Sequence, residues 1–188
     1  MMTPKELTVL LLSDEEMRCV LRAIAELGLP DCWLAAGAVR NAMWNHLSGR
    51  PLFDRETDLD VVFFDPKGTQ EEVNHLQAQL HTRYPAYHWE VKNQAFMHQH
   101  SPHTAPYQSS CDAISKYPER CTAIAVRLLE GDLEIFAPYG LEDIVNFMVR
   151  PTPHFVAHPE RLALYRQRVS SKNWTDKWPQ LQVELENH

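Results

Sequence analysis

Apolar residues recur along this chain at two spacings, three or four residues apart as in a helix, or in short runs as in a strand. Capping boxes, in which Ser or Thr is followed three residues later by Glu, begin at Ser13 and Thr69. The helical spacing predicts helices over residues 17–27, 39–47, 69–84, 110–117, 141–148 and 159–169. The apolar runs predict strands over residues 32–36, 57–65 and 87–92, and a hairpin of 121–129 with 133–136. The chain is therefore expected to mix helices and strands.

The run from Thr57 to Asp65 is the most informative of these strands, because Val, Phe and Leu dominate it and acidic residues open it. Side chains alternate along a strand, so Asp58 and Asp60 point to the same side, about 6–7 Å apart. Two carboxylates in that position repel each other and resist desolvation. A Mg²⁺ ion between them would remove both difficulties. The alternative is a strand whose first polar residues lie in solvent.

The strand at 32–36 leads through the small residues Gly37 and Ala38 into a helix. Backbone N–H groups at such a helix start can face an anion, and the helix dipole favours negative charge there. Arg40, in the first turn, is placed against the preference of the dipole for acidic residues. A bound phosphate would explain its position, and a surface salt bridge is the alternative.

The composition limits the classes of partner that the protein is expected to bind. The 188 residues carry a net charge of −7, with 44% hydrophobic and 23% charged residues, as in an ordinary globular protein. The negative charge excludes non-specific DNA binding but allows a basic pocket for one nucleotide. The apolar run 7–12 is too short for a signal-peptide core or a membrane span, and the four cysteines form no C-x-x-C pair. We therefore expect a cytoplasmic protein without membrane association.

Residues 93–108 hold His98, His100 and His103 in the least patterned part of the chain, which indicates a functional or mobile loop. A zinc site is the competing interpretation. The histidine spacing fits no regular zinc motif, prolines interrupt it, and no cysteine lies near. The sequence therefore favours a loop without zinc.

The segment Ala36-Gly37-Ala38-Val39-Arg40-Asn41, followed by Asp58-Leu59-Asp60, resembles the nucleotidyltransferase superfamily that includes DNA polymerase β. The heads of bacterial poly(A) polymerases and CCA-adding enzymes carry Gly-Gly-x-Val-Arg-Asp before a strand with Asp-x-Asp. The chain resembles even more closely a small, mostly bacterial family of nucleotidyltransferase-like proteins. The pieces shared with that family lie at 36–41, 57–65, 93–98, 137–143 and 178–179.

This resemblance implies an α/β (α+β) nucleotidyltransferase fold, a mixed central sheet flanked by helices. We expect a core domain over residues 1–150, on which the C-terminal helix and tail, 151–188, pack. The resemblance also implies a third carboxylate on a later strand beside the Asp-x-Asp strand. The predicted hairpin offers Asp132 and Glu134, and we expect Glu134 because Asp132 belongs to the turn. The alternative for Glu134 is an exposed edge residue.

The implied reaction is metal-dependent transfer of a nucleotidyl group from a nucleoside triphosphate to an acceptor hydroxyl. Mg²⁺ or Mn²⁺ would be held by Asp58, Asp60 and Glu134. The nucleotide would be bound by Gly37, Ala38, Arg40 and Asn41. Three classes of acceptor are left open: a small molecule, RNA and protein. The alternative is an inactive nucleotide-binding or regulatory protein with the same fold.

Two positions depart from the loop of the CCA-adding enzymes. Ala36 replaces the first glycine of the Gly-Gly pair, and Asn41 replaces the aspartate after the arginine. Ala36 is expected to narrow the space for a triphosphate, and Asn41 to change contacts to the acceptor or base. Both substitutions occur in the small family, so they indicate a different substrate more than a dead site.

Overall fold

The computed structural model of the chain describes residues 1–186. Its helices are α1 (Pro4–Ser13), α2 (Glu15–Glu26), α3 (Gly37–Leu47), α4 (Gln70–Arg83), α5 (Ser110–Ser115), α6 (Glu142–Val145), α7 (Pro153–Val156), α8 (Pro159–Ser171) and α9 (Trp174–Lys177), with a 3₁₀ helix at Gln94–His100. Its strands are β1 (Trp33–Ala35), β2 (Asp58–Phe63), β3 (His88–Asn93), β4 (Ala125–Leu129), β5 (Asp132–Phe136), β6 (Met148–Val149) and β7 (Gln182–Val183).

The centre of the fold is a five-stranded sheet in the order β3-β2-β1-β4-β5. β1 is antiparallel to β2 and β4, β5 is antiparallel to β4, and β3 is parallel to β2. The parallel pair is joined through α4, as a parallel connection requires a crossover. The predicted mixed sheet flanked by helices is confirmed. β6 and β7 form a separate two-stranded sheet.

The main hydrophobic core lies on one face of the central sheet. Leu59 and Val61 of β2, Trp89 of β3 and Val126 of β4 point into it, opposite the apolar stripes of the helices. A smaller cluster covers the other face, where Trp33 and neighbouring small residues meet α5. The side chains that alternate with the main core therefore emerge on a thinly covered face, and the aspartates of β2 are among them.

The C-terminal segment takes part in the main core. The Trp178 ring lies 5.0 Å from that of Trp44, and its indole N–H donates to the Asn45 side chain at 3.2 Å. The Tyr165 hydroxyl donates to the Val149 carbonyl at 3.1 Å. These contacts fix α8 and the tail against the rest of the fold. The domain boundary near residue 150 stays a prediction.

Of the two capping boxes predicted at helix starts, the structure confirms one and corrects the other. Thr69 and Glu72 form the predicted reciprocal capping box of α4. The box predicted at Ser13 is wrong, because Asp14 caps α2 and accepts from the Met17 amide at 2.8 Å. Ser13 ends α1, and its hydroxyl donates to the Leu10 carbonyl instead. In the described chain, residues 1–186, no helix combines the length and the apolarity that crossing a bilayer requires.

Candidate functional site

The turn between β1 and α3 forms one side of the candidate site. Ala36 has φ 58° and ψ −123°, and its amide donates to the Ile124 carbonyl at 2.8 Å, which fixes the turn against the chain before β4. α3 then starts without a side-chain cap. In the described part of the chain, no hydrogen bond uses the amides of Gly37 or Ala38. These two donors, at the positive end of the helix dipole, are suited to an anion.

Ala36 is in a backbone conformation that usually belongs to glycine. A non-glycine residue there stores strain on the order of 1–3 kcal/mol. The related loops carry glycine at this position, and the positive φ supplies the physical reason. The departure at Ala36 thus leaves the turn in place and adds one methyl group to the wall of the cleft.

Arg40 is buried, with 5% of its surface exposed, and is not part of a surface salt bridge. Its guanidinium donates to Thr122 Oγ1 at 2.7 Å and to Asn41 Oδ1 at 3.1 Å. It also stacks on the rings of Trp44 and Trp174, at 5.0 and 4.4 Å from their centroids. Burial lowers its pKa. Within residues 1–186 no carboxylate lies at ion-pair distance from it, so the salt-bridge interpretation is wrong and the charge is available to a bound anion.

Asp58 and Asp60 open β2 and share its thinly covered face, as the alternation predicts. Asp58 is exposed, whereas the Asp60 side chain is only 23% exposed. In the register of the sheet, Asp60 lies beside Ala35 of β1 on one side and Glu90 of β3 on the other. The acidic partner of Asp60 is therefore on the strand parallel to β2.

Lys92 joins the two carboxylates. Its Nζ lies 3.0 Å from Glu90 Oε2 and 3.4 Å from Asp60 Oδ1. Burial raises the pKa of Asp60 to about 6, against the opposing effect of the Lys92 ammonium and with the support of the Glu90 charge. Burial acts to raise the pKa of Glu90 as well, but the hydrogen bond and charge of Lys92 outweigh it and lower that pKa. One cation between two acids thus sets the electrostatics of the site.

Glu134 is the expected third carboxylate, and the structure does not bring it to the aspartates. It lies on β5, the far edge of the sheet, three strand spacings across and two residues along from Asp60, or about 16 Å. Its carboxylate accepts from Arg127 Nε at 2.9 Å. It faces the same side of the sheet as Asp60, so the predicted alternation was right and the choice of strand was wrong. Asp132 lies at the hairpin end of the same strand.

Glu90 takes the place that was assigned to Glu134. The sequence contained a signal for it, because Tyr87, Trp89 and Val91 alternate as one apolar face and leave Glu90 on the other. What the sequence did not supply was the neighbour of β2. The parallel pairing of β3 with β2 puts Glu90 directly beside Asp60.

The acidic residues fit a divalent cation. Asp58, Asp60 and Glu90 offer the hard oxygen ligands that Mg²⁺ prefers. The ammonium of Lys92 between Asp60 and Glu90 marks a point where the protein already attracts positive charge. The described residues contain no cluster of three His, Cys, Asp or Glu side chains already drawn together as a metal cage. An ion would therefore replace the ammonium and draw the carboxylates closer.

Two adjoining cavities lie over this face. The polar cavity, about 430 Å³, lies over the start of β2 and is lined by Gly37, Arg40, Asn41, Asp58, Glu90 and Lys177, among others. The apolar cavity, about 550 Å³, continues towards the 3₁₀ helix and is lined by Val62, Met97, Tyr107, Tyr117, Phe155 and Leu164, among others. The two share Ala36, Asp60, Lys92, Thr122, Arg168 and Lys172. Together they form one cleft.

The C-terminal helix contributes to both cavities, which no local pattern predicted. Arg168 of α8 lines the cleft, and its Nε donates to Glu119 Oε1 at 2.6 Å. The Glu119 side chain is fully buried, so this ion pair fixes the position of Arg168. Lys172 follows α8 and reaches the same cleft. The lining of the polar cavity thus includes five cationic residues, Arg40, Lys92, Arg168, Lys172 and Lys177, of which Lys92 and Lys177 pair with its acids.

Residues 93–108, which contain the three histidines, make structural contacts through Asn93, next to β3, and through His103, next to α8. Asn93 caps the 3₁₀ helix and accepts from the amides of Ala95 and Asp65 at 3.2 and 3.0 Å. His103 stacks on His158, 4.0 Å between ring centroids, and pairs with Glu160 at 3.1 Å. These contacts give Asn93 and His103 structural partners within the described chain.

Known proteins resemble this chain along most of its length. A family model described as "Nucleotidyltransferase" matches residues 22–183. A solved NMR structure, described as revealing a CCA-adding enzyme head domain, is 52% identical and superposes with a TM-score of 0.92, over 98% of this chain and 97% of the other. No curated protein sequence matches the chain.

More distant structures share the fold. A CCA-adding enzyme in its apo form has a TM-score of 0.56 at 14% identity, and a CCA-adding enzyme in complex with ATP has 0.55 at 15%. Each match covers 95% of this chain but 42% and 43% of the enzymes. The chain therefore spans less than half of the length of these enzymes.

Proposed function

The chain belongs to the nucleotidyltransferase family, and from this premise we propose that it transfers a nucleotidyl group from a nucleoside triphosphate to an acceptor hydroxyl. Mg²⁺ or Mn²⁺ would be held by Asp58, Asp60 and Glu90. The observation that carries the proposal is the convergence of Asp60 and Glu90, from neighbouring parallel strands, on one cation position. That position lies in the same cavity as the free helix start of α3.

The groups that would bind the phosphates of the nucleotide lie at the start of α3. The amides of Gly37 and Ala38 and the guanidinium of Arg40 offer donors and positive charge to the phosphates of the nucleotide. Asn41 accepts from Arg40 and donates to Thr57 at 3.3 Å, so it holds Arg40 rather than a metal ion. The replacement of aspartate by Asn41 thus removes no cation ligand.

When bound, a divalent ion neutralises phosphate charge and lowers the pKa of the attacking hydroxyl. Asp60, which lines both cavities, would hold the ion on the side of the acceptor, and Asp58 and Glu90 would hold it from the polar cavity. Lys92, once released from the two acids, stays within reach of the phosphates. Arg40, which lines the polar cavity and not the apolar one, would add positive charge where the pyrophosphate leaves.

The second candidate is a protein that binds nucleotide without turning it over. The ion pairs of Lys92 with Asp60 and Glu90 favour this candidate. An ammonium that already neutralises Asp60 and Glu90 lets the site persist without a metal ion. The two candidates differ in whether Glu90 is needed after binding. A binder needs the helix start and Arg40, whereas transfer also needs a cation held beside the acceptor.

The test is to incubate the protein with α-labelled nucleoside triphosphates, Mn²⁺ and a cell lysate, and to look for a labelled product. We expect wild type to form one, Glu90→Gln to form it at least about 100-fold more slowly, and Glu134→Gln to match wild type. Calorimetry with the same nucleotides should give all three proteins affinities within about threefold of each other in the absence of metal. Nucleotide binding without any labelled product would support the binding protein.

A further inference from the structure

We propose that the apolar cavity is the acceptor site of this transfer, and that it takes a small anionic molecule with an apolar body rather than a nucleic acid. This inference rests on the proposed function and adds the class of acceptor to it. Its support comes from the position, the lining and the charge of the cavity.

The position follows from the chemistry of the reaction. In nucleotidyl transfer the acceptor oxygen forms a bond to the α-phosphorus while the bond to pyrophosphate breaks, and the two oxygens lie roughly in line. The acceptor proton leaves to solvent or to a basic group, and the pyrophosphate leaves as an anion. Of the anion-binding groups, Gly37 and Arg40 line the polar cavity and not the apolar one. The apolar cavity adjoins the polar cavity at Asp60 and Lys92, so we assign it to the acceptor.

The size and the walls of this cavity suit a small molecule. Its volume of about 550 Å³ lies within the range of small-molecule sites, about 300–1,000 Å³. Tyr107, Tyr117 and Phe155 supply aromatic surface, and Met97 and Leu164 supply aliphatic surface. Such walls bury an apolar body and give little to a sugar–phosphate backbone.

One buried polar group points to a ligand. Gln94 lines the cavity with 2% of its surface exposed, and its Oε1 accepts from the Tyr117 hydroxyl at 3.2 Å. Within residues 1–186 no hydrogen bond uses its Nε2 group, and this group is not among the buried atoms without a partner, so it is open to the cavity. An acceptor oxygen on a bound ligand would pair with this donor in place of water. The cavity therefore contains a fixed donor for one ligand oxygen.

The charge of the lining favours an anion. Four cationic side chains border the cavity, Lys92, Lys116, Arg168 and Lys172, against the single carboxylate of Asp60. Lys116 and Arg168 are paired with Asp112 and Glu119, neither of which lines it. In the described chain, the Lys172 ammonium has no carboxylate within ion-pair distance. A negative group on the acceptor would be attracted at this end.

A polynucleotide acceptor fits these observations less well. Recognition of a nucleic-acid backbone uses a basic surface that extends over several phosphates. This chain has a net charge of −7, and of its 18 Lys and Arg residues six line the cleft: Arg40, Lys92, Lys116, Arg168, Lys172 and Lys177. A single small anion needs only such a local site.

The experiment uses the full chain and the fluorescent anion 8-anilinonaphthalene-1-sulfonate, with its neutral analogue N-phenyl-1-naphthylamine for comparison. Leu164→Trp fills the cavity from α8, and Val9→Trp, at a 64% exposed position of α1 outside both cavities, is the matched control. Lys172→Gln removes the unpaired cation. Circular dichroism confirms that each variant is folded.

We expect one binding site for the anion, weakened at least about tenfold by Leu164→Trp and unchanged by Val9→Trp. Lys172→Gln should weaken binding of the anion about threefold or more, which is the scale of one lost charge contact. Binding of the neutral analogue should be unchanged. Absence of binding to wild type, equal binding to Leu164→Trp, or displacement of the probe by a single-stranded RNA oligonucleotide would each overturn the inference.

Nucleotide binding with Mn²⁺, measured by calorimetry on the same variants, separates this inference from the proposed function. Leu164→Trp should keep nucleotide affinity within about threefold, because the polar cavity is intact. If wild type binds the probe but not the nucleotide, the proposed function fails and the acceptor role fails with it, while the small-anion site remains. Nucleotide binding together with an insensitive probe would count against the acceptor site alone.

Discussion

The assignment of Glu90 instead of Glu134 gives the sharpest prediction, since both glutamates face the same side of one sheet. We expect Glu90→Gln to weaken Mn²⁺ binding about 30-fold and Glu134→Gln to leave it unchanged. Unit charges about 4 Å apart in water interact by about 1 kcal/mol, so a carboxylate ligand contributes about 2 kcal/mol towards a divalent ion. Glu134, three strand spacings across and two residues along the sheet, or about 16 Å away, contributes about 0.1 kcal/mol after screening by salt.

The measurement is calorimetric titration, or electron paramagnetic resonance of free Mn²⁺, on both variants and wild type at pH 7.5 with physiological salt. Each variant removes one negative charge from the same face, so the net charge of the protein does not distinguish them. An equal loss of affinity in both variants would mean that the effect is one of overall charge. A loss confined to Glu134→Gln would refute the placement of Glu90, rather than Glu134, beside the cation.

Further predictions concern the cation, the turn, the core and pH. Lys92→Met should raise Mn²⁺ affinity about tenfold while Lys172→Met does not, because only Lys92 competes for Asp60 and Glu90; equal titrations of both variants would contradict this. Ala36→Gly should raise the free energy of unfolding in urea by about 1 kcal/mol, since the positive φ no longer strains the turn. Trp178→Ala should lower it by about 3–5 kcal/mol, since the buried ring packs on Trp44. Because the pKa of Asp60 is raised to about 6, its carboxylate is protonated below that pH, and Mn²⁺ affinity should fall as the pH drops from 7 to 5; a flat profile would be evidence against Asp60 as a ligand.

The features that depend on neighbours in sequence were predictable. The alternation that sets Asp58 and Asp60 on one face needs only strand geometry. The capping box at Thr69 needs only a glutamate three residues further along the chain. The Ser13 box failed although it is local, because two helices meet there and Asp14 was the better-placed cap.

The features that depend on strand order were not predictable without a structure. The choice between Glu90 and Glu134 depends on whether β3 or the hairpin lies beside β2, and either arrangement satisfies the apolar pattern. The same holds for Arg168 and Lys172, whose place in the cleft depends on how α8 packs. The resemblance supplied the fold and the need for a third carboxylate, but not its position in this chain.

The position of α8 also has a consequence for the order in which the protein folds. The contacts that hold the C-terminal segment join distant parts of the chain, Arg168 with Glu119 and Trp178 with Asn45. Pairs so far apart in sequence form late, because the chain entropy of closing a long loop is lost before the contact is gained. During refolding, the β4–β5 hairpin, whose paired residues lie at most 11 positions apart, should therefore be protected from hydrogen exchange before the Trp178 indole N–H, which is bonded to Asn45 in the native fold. In that interval the hairpin is formed, but α8 does not yet close either cavity.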